Sequence, residues 1–217
     1  MQEKVDIIKD KHGDELKVTI KKLYLELFEG LGKIEPPHKM TLKEDAVPVI
    51  QSPKKMPATI MKKLENELKK MEREEIIVKV NEPTDWVSSL AIVEKPDGSL
   101  RICLDPKDLN ANLKREHYQL PTFEEISMRL AGAKVFTKLD ANQGYWQIPL
   151  EYESFLLTTV NTPFGRYRFL RMPYGIHFTQ EVSHKRIQQI LATSLISKRT
   201  SMTSWFGEWT TLVMIEV

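Results

Sequence analysis

The chain is predicted to be an α+β protein, an antiparallel sheet with packed helices, and three features carry that prediction. Residues 58–75 have the spacing of an amphipathic helix, with Ile60, Leu64, Leu68 and Met71 on one face and Lys62, Lys63, Lys69 and Lys70 off it. From Ile76 onward the pattern changes to short apolar runs rich in Val, Ile and Leu, which read as strands. Two of these runs are joined by Pro96-Asp97-Gly98-Ser99, whose Asp-Gly supplies the positive φ of a tight hairpin and so the antiparallel sense.

Taken in order, residues 1–56 form a mixed approach segment. Residues 15–20 alternate like a short strand, and residues 23–31 have helical spacing until Gly30 and Gly32 interrupt it. Pro36-Pro37 and residues 48–57 read as extended, poorly packed linker. After the helix come strands at 76–80, 90–95 and 100–104. Pro106-Lys107-Asp108-Leu109-Asn110 begins a short helix, and Leu120-Pro121-Thr122 caps another through Leu130. Residues 135–139 are a β-favouring run that delivers Asp140 to its end, with Gly144-Tyr145 one short turn later. Residues 155–160 and 167–170 read as a strand pair turning at Thr162-Pro163-Phe164-Gly165-Arg166. Met172-Pro173-Tyr174-Gly175 breaks the pattern, and residues 181–191 resume helical spacing. There is no internal repeat.

At 217 residues, 41% apolar and 29% charged, the composition is that of an ordinary soluble chain with room for one large or two small domains. No apolar run approaches the length of a membrane span, and Met1-Gln2-Glu3-Lys4-Val5-Asp6 lacks the apolar stretch of a signal peptide, so an intracellular protein without a membrane partner is expected. One cysteine, Cys103, excludes an intrachain disulfide, and its place in an apolar alternation predicts a small core residue. The 32 basic and 30 acidic residues nearly cancel, so only a local basic patch could serve a nucleic acid.

Three groups of residues could carry chemistry. Asp140 puts a carboxylate at a strand terminus, where it can hold a hard cation such as Mg²⁺, with the backbone carbonyl of Ala141 supplying part of the oxygen shell. A lone acid there is otherwise a surface residue that starts a turn. Lys95 and Arg101 flank the tip of the Asp-Gly hairpin, and two such cations suit a triphosphate, Arg as a planar fork and Lys as a mobile point charge. They would equally serve as solubilising charges on an exposed hairpin. His177, Glu181 and His184 fall on one helix face at metal-ligand spacing, without an evident fourth ligand for zinc.

Asp105-Pro106-Lys107-Asp108-Leu109-Asn110, Leu120-Pro121-Thr122, Lys138-Leu139-Asp140-Ala141, Gly144-Tyr145, Thr162-Pro163-Phe164-Gly165-Arg166-Tyr167 and Met172-Pro173-Tyr174-Gly175, in this order and spacing, closely resemble the reverse transcriptase of gypsy-type long-terminal-repeat retrotransposons. The likeness runs from about Leu42 to Leu191. It implies the fingers and an incomplete palm of a right-hand polymerase over residues 57–191, preceded by the approach segment. It also implies roles. Asp140 would be the first metal-binding carboxylate of a nucleotidyl transfer assisted by two Mg²⁺ ions. Tyr145 would lie under the incoming sugar and exclude a 2′-hydroxyl. Lys95 and Arg101 would grip the triphosphate, and Tyr174 and Gly175 would border nucleotide and template. The implied partners are deoxynucleoside triphosphates and an RNA or DNA template-primer held mainly through its phosphates.

Two departures from the family stand out. Phe178-Thr179-Gln180 replaces the usual small Ser-Ala-Pro, and no Asp-Asp pair occurs anywhere in the chain. Past Leu191 the likeness stops, so residues 192–217 are expected to be an out-of-family, disordered tail that leaves Trp205, Phe206 and Trp209 without a sheet to receive them. The genetic code offers a cause. When each triplet starts at the third base of the codon in the present frame, Met202-Thr203 must yield Asp, and Ser201-Met202 yields another if Ser201 is TCG. The following residues then permit Ile-Leu-Val-Trp-Gly. A frameshift would thus hide the missing acids. The expected function is an RNA-directed DNA polymerase domain, inactive in this form; the alternative is a non-catalytic nucleic-acid-binding remnant.

Overall fold

A computed structural model of the chain describes residues 18–19, 22–23, 25, 29–120, 122, 124–125, 128, 135–193, 200–206 and 210–216. For residues 135–140, 191–193 and the last two segments it describes the backbone only. Two compact units are present, Met1–Gly32 and Lys33–Val217. In the first, Val18, Thr19, Lys22 and Leu23 are helical, not the strand expected over 15–20. Six alternating residues are too few to separate the two periods, and the Lys, Leu and Glu around them favour helix.

In the second unit, helix α1 (Ala58–Arg73) buries Leu64, Leu68 and Met71 on the predicted face. The Glu74 N–H closes on the Lys70 carbonyl at 3.0 Å and the Ile76 N–H on the Met71 carbonyl at 2.9 Å. Glu75, at a φ of 53°, turns the chain between them into strand β1 (Ile77–Val80). Strands β2 (Ser88–Glu94) and β3 (Leu100–Asp105) form the predicted hairpin. Helix α2 (Lys107–Asn112) and strand β4 (Val135–Asp140) follow. Further on lie helix α3 (Tyr152–Leu156), strands β5 (Thr159–Thr162) and β6 (Gly165–Phe169), and helix α4 (Thr179–Thr193).

Five strands make one sheet in the order β1-β6-β5-β2-β3. Its β1–β6, β5–β6 and β2–β3 junctions are antiparallel, whereas β2 and β5 run parallel through Ser88↔Val160 and Ser89↔Asn161. Helix α1 packs on β1 and β3, and the core between them holds Leu64, Leu68, Met71, Ile77, Leu90, Ile102, Leu104 and Phe169, each at most 2% exposed. Lys63 Nζ reaches Glu94 Oε1 at 2.7 Å and ties the outer face of α1 to the end of β2.

Several expectations need correction. Residues 152–156 are helix α3, so the strand expected over 155–160 starts only at Thr159. The Phe155 N–H bonds the Glu151 carbonyl, Tyr152 and Phe155 stack edge-on one turn apart at 5.0 Å, and buried Ser154 accepts the Met40 N–H at 2.7 Å. Pro36-Pro37 and residues 48–57, expected to be a poorly packed linker, belong with the residues between them to the compact unit. They are extended, but they form bridges at His38↔Leu150, Leu42↔Leu113 and Ile50↔Val87. Met40 is 4% exposed, and the Gln51 side chain bonds Asp108 and the Ser89 N–H. Cys103 is half-buried rather than core, because β3 buries Leu100, Ile102 and Leu104 and turns the alternate residues Arg101, Cys103 and Asp105 to the other face. Burial still pushes its thiol up, opposed by Arg101.

The tail also differs. Strands β7 (Thr200–Phe206) and β8 (Thr210–Glu216) pair with each other, and β8 pairs antiparallel with β4, giving a second sheet in the order β4-β8-β7. Thr, Val, Ile and aromatic residues suit a pleated ladder, and the free edge of β4 supplies the template that the tail was expected to lack. Much of the helix expected from Leu120 lies outside the described residues, but its start is visible. Thr122 Oγ1 accepts the Glu125 N–H at 3.3 Å and Glu125 Oε2 accepts the Thr122 N–H at 2.9 Å, a reciprocal cap.

His184 is 2% exposed against Tyr118, and burial pushes its pKa down to about 4. Burial also lowers that of His38, with Glu116 opposing. Both histidines are neutral in the fold and charge more readily when unfolded. Their contribution is therefore complete above pH 6.5 and is lost as the pH falls toward 4. Urea unfolding at pH 7 and pH 4.5 should show a drop that His184→Gln reduces by about 2 kcal/mol. In the core, Leu68→Ala should lower the unfolding free energy by about 2–5 kcal/mol, read from the urea midpoint at unchanged slope.

Candidate functional site

A cavity of about 200 Å³ opens where the β2–β3 hairpin, α1, the turn after β4 and Tyr174 meet. Local bonds close the hairpin tip: Gly98 takes a φ of 78°, its N–H bonds the Lys95 carbonyl, and Asp97 Oδ1 accepts both the Ser99 N–H at 2.9 Å and the Ser99 hydroxyl at 2.6 Å. Those bonds, the hydroxyl first, hold the Asp97 carboxyl below its ordinary range. Lys95 and Arg101 are thereby fixed on either side of the tip, and both line the cavity.

The opposite wall is the turn that follows β4. Gln143 adopts a φ of 49°, its carbonyl accepts the Trp146 N–H at 2.9 Å, and the Tyr145 carbonyl accepts the Ile148 N–H at 3.1 Å. This winding presents Ala141, Asn142, Gln143, Gly144, Tyr145 and Trp146 to the cavity. The Tyr145 and Tyr174 rings pack at 4.9 Å, Trp146 meets Tyr174 edge-on at 5.9 Å, and the Arg101 guanidinium lies 5.4 Å above the Tyr174 ring. Burial raises the Tyr145 phenol above its ordinary pKa, with Arg101 opposing, so the ring is a neutral surface.

Of the residues singled out from sequence, Lys95, Arg101, Ala141, Tyr145 and Tyr174 converge on this one cavity. Gly175 stands behind it. Its φ is 112°, and a Cβ there would collide with the Leu104 carbonyl oxygen and come within 3.2 Å of Pro106 Cδ. Asp140 ends β4, directly before Ala141, with Thr211 of β8 as its partner in the ladder; its side chain lies outside the described residues. The zinc reading of His177, Glu181 and His184 is overturned. Glu181 accepts Arg115 at 2.6 Å, His184 stacks on Tyr118, and His177 Nδ1 lies 3.1 Å from Asn110 Oδ1. No group of three His, Cys, Asp or Glu able to hold a metal occurs among the described residues. Phe178 is a core residue, 1% exposed, with its ring against His38 and His177.

Sequence reasoning missed Glu67, Lys70, Gln143 and Trp146 as cavity residues. Lys70 was legible only as one of several lysines on a helix face that is either solvated or in contact with phosphates. Its Nζ sits 3.8 Å from Glu67, and the two enter the cavity together. Among the described lining residues three cations, Lys70, Lys95 and Arg101, thus face one carboxylate, beside a platform of aromatic rings. That combination suits a ligand with a polyanionic end and a flat or cyclic end. Gly175→Ala should destabilise the chain by at least about 2 kcal/mol, through backbone strain and collision together. Gly98→Ala, at positive φ but with open space around it, should cost only about 1 kcal/mol. Melting temperatures of the two variants measure the difference.

Residues 93–195 match the family described as reverse transcriptase (RNA-dependent DNA polymerase). An uncharacterized protein of Caenorhabditis elegans is 32% identical over 166 residues, which are 74% of this chain and 13% of that protein. The retrovirus-related Pol polyprotein from transposon 297 of Drosophila melanogaster is 30% identical over 135 residues, 59% of this chain and 12% of the polyprotein. The chain thus spans about an eighth of the length of these relatives. Among solved structures, the protease–reverse transcriptase of prototype foamy virus superposes with a TM-score of 0.75 over 93% of this chain and 27% of the viral one, at 17% identity, and so shares the fold. With its fold and these likenesses in agreement, the chain carries a reverse transcriptase domain over residues 93–195, with relatives among the Pol polyproteins of retrotransposons.

Proposed function

We propose that the chain is the nucleotide-gripping part of a gypsy-type RNA-directed DNA polymerase, and that the cavity takes a deoxynucleoside triphosphate. The observation that carries this reading is the meeting of Lys95, Arg101, Ala141, Tyr145 and Tyr174 at one cavity. Lys70, Lys95 and Arg101 neutralise the triphosphate, Arg101 through paired donors and the lysines as point charges. Tyr145 presents a neutral ring to the sugar and excludes a 2′-hydroxyl by occupancy. Template and primer bind mainly through phosphates, with affinity that falls as salt rises. The foamy virus relative solved in complex with an RNA/DNA hybrid supports that class of partner. The protein works inside the cell, where such templates and nucleotides are found.

Reverse transcriptases generally use divalent metal ions, and Mg²⁺ is the ion we assign. A pair of such ions would activate the attacking hydroxyl and stabilise the leaving pyrophosphate. The donor set does not fit that pair. Asp140 is one carboxylate, and the sequence contains no Asp-Asp to complete a two-ion site. We therefore infer that the 217-residue chain binds nucleotide and template without joining them, and that residues 192–217 are read out of frame. On this reading the encoding DNA has TCG at Ser201.

The tests are direct. The 217-residue chain should bind a deoxynucleoside triphosphate more tightly than the matching ribonucleotide, and Arg101→Ala should weaken that binding by roughly tenfold, the equivalent of about 1.4 kcal/mol. Tyr145→Ala should erase the preference between the two sugars. In a primer-extension assay with Mg²⁺ no incorporation is expected from this chain. A chain with the neighbouring frame restored after Leu191 should extend primers, and Asp140→Asn should abolish that. Extension by the 217-residue chain itself, or sugar-blind binding, overturns the reading.

A further inference from the structure

The Tyr174 ring faces Tyr145, Trp146 and Arg101, yet Tyr174 and Gly175 lie in a turn between β6 and α4. Besides Thr179, whose hydroxyl donates to the Pro173 carbonyl at 3.3 Å and whose N–H donates to the Ile176 carbonyl at 3.2 Å, bonds from two neighbouring elements hold that turn. On one side the Tyr174 carbonyl accepts the Leu104 N–H from β3 at 2.9 Å. On the other, a single side chain reaches across from α2. Asn110 Nδ2 donates to the Gly175 carbonyl at 2.9 Å, while its Oδ1 accepts the His177 N–H at 3.1 Å and lies 3.1 Å from His177 Nδ1. Both ends of one amide are therefore spent on the turn, on either side of buried Ile176.

The geometry points to Asn110 as a positioning residue for the nucleotide cavity, setting where the Tyr174 ring stands without touching the ligand. This rests on the nucleotide reading proposed above. Asn110 does not line the cavity. Helix α2 presents it firmly, its own N–H bonding the Pro106 carbonyl at 2.7 Å and Leu109 being 1% exposed. The chemistry requires asparagine. Aspartate has no donor for the Gly175 carbonyl and sets a negative charge against it, alanine reaches neither partner, and glutamine is longer by one methylene. Leu104 and Pro106 bound the turn from behind, where Gly175 leaves no room for a Cβ. With the rear wall fixed, losing the Asn110 clamp lets the turn shift away from α2 and carries Tyr174 with it.

The test uses the full chain with Asn110→Ala and Asn110→Asp, the tyrosine rings labelled for NMR, and dTTP and its ribose counterpart as probes. Both variants should move the Tyr174 ring resonances and the Gly175 amide while leaving Tyr152, 68% exposed on α3, in place. Both should weaken dTTP binding by roughly fivefold to tenfold and narrow the preference for deoxyribose, with a melting temperature within a few degrees of the parent. Unmoved Tyr174 and Gly175 signals in both variants overturn the assignment. So does unaltered dTTP affinity and sugar preference in a parent that binds dTTP. A parent that does not bind dTTP instead refutes the nucleotide reading, and the resonances then decide the role of Asn110 alone.

Discussion

The site depends on one close approach, the contact between β3 and the turn at Tyr174–Gly175. The Leu104 N–H can meet the Tyr174 carbonyl only because the next residue has no Cβ and tolerates a φ of 112°. This contact sets the distance between the strand that carries Arg101 and the turn that carries Tyr174, and so lets the guanidinium lie over the ring. A larger residue at 175 would displace the two walls of the cavity relative to each other before any ligand contact changed.

Around that junction the division of labour is physical. The rear of the hairpin is apolar, Leu100, Ile102 and Leu104 being buried under α1, and this holds the front residues in fixed register. The front face is polar, with Arg101, Cys103 and Asp105 alternating along the same strand. Asp105 is paired with Lys54 of the extended segment at 2.5 Å, which screens the one acid on that face. Among the described residues that line the cavity, three are cations, Lys70, Lys95 and Arg101, and one is a carboxylate, Glu67.

The parts legible from sequence were those written in local pattern. The Asp-Gly turn dictated the β2–β3 hairpin, and apolar spacing dictated α1 and its buried face, so short-range chemistry alone sufficed to put Lys95 and Arg101 on opposite arms of one tip. Tyr145 and Tyr174 were visible only through the order of several short motifs, and nothing local said that their rings would meet. What could not be read was set by tertiary contact. Met40 is buried because Ser154 and the strand-like bridges receive its segment, and the helical turn at 152–156 is fixed by bonds to Glu151 and Met40. Cys103 was misplaced because alternation says that one face is buried without saying which. The tail found in β4 an edge that its own residues could not announce.

The parallel junction at the centre of the main sheet governs how the chain reaches this state. The β2–β3 hairpin can zip locally, but β2 must wait for β5 and β1 for β6, so Ser88 finds Val160 and Ile77 finds Phe169 only after most of the chain exists. Closing such long loops is entropically expensive, which makes folding slow and strongly dependent on chain topology. During synthesis from the N-terminus, α1, β1 and the first hairpin leave the ribosome before β5 and β6, with Ile77 still lacking its partner Phe169 and the edge of β2 unpaired. The nascent chain in this window is open to aggregation and to chaperone capture.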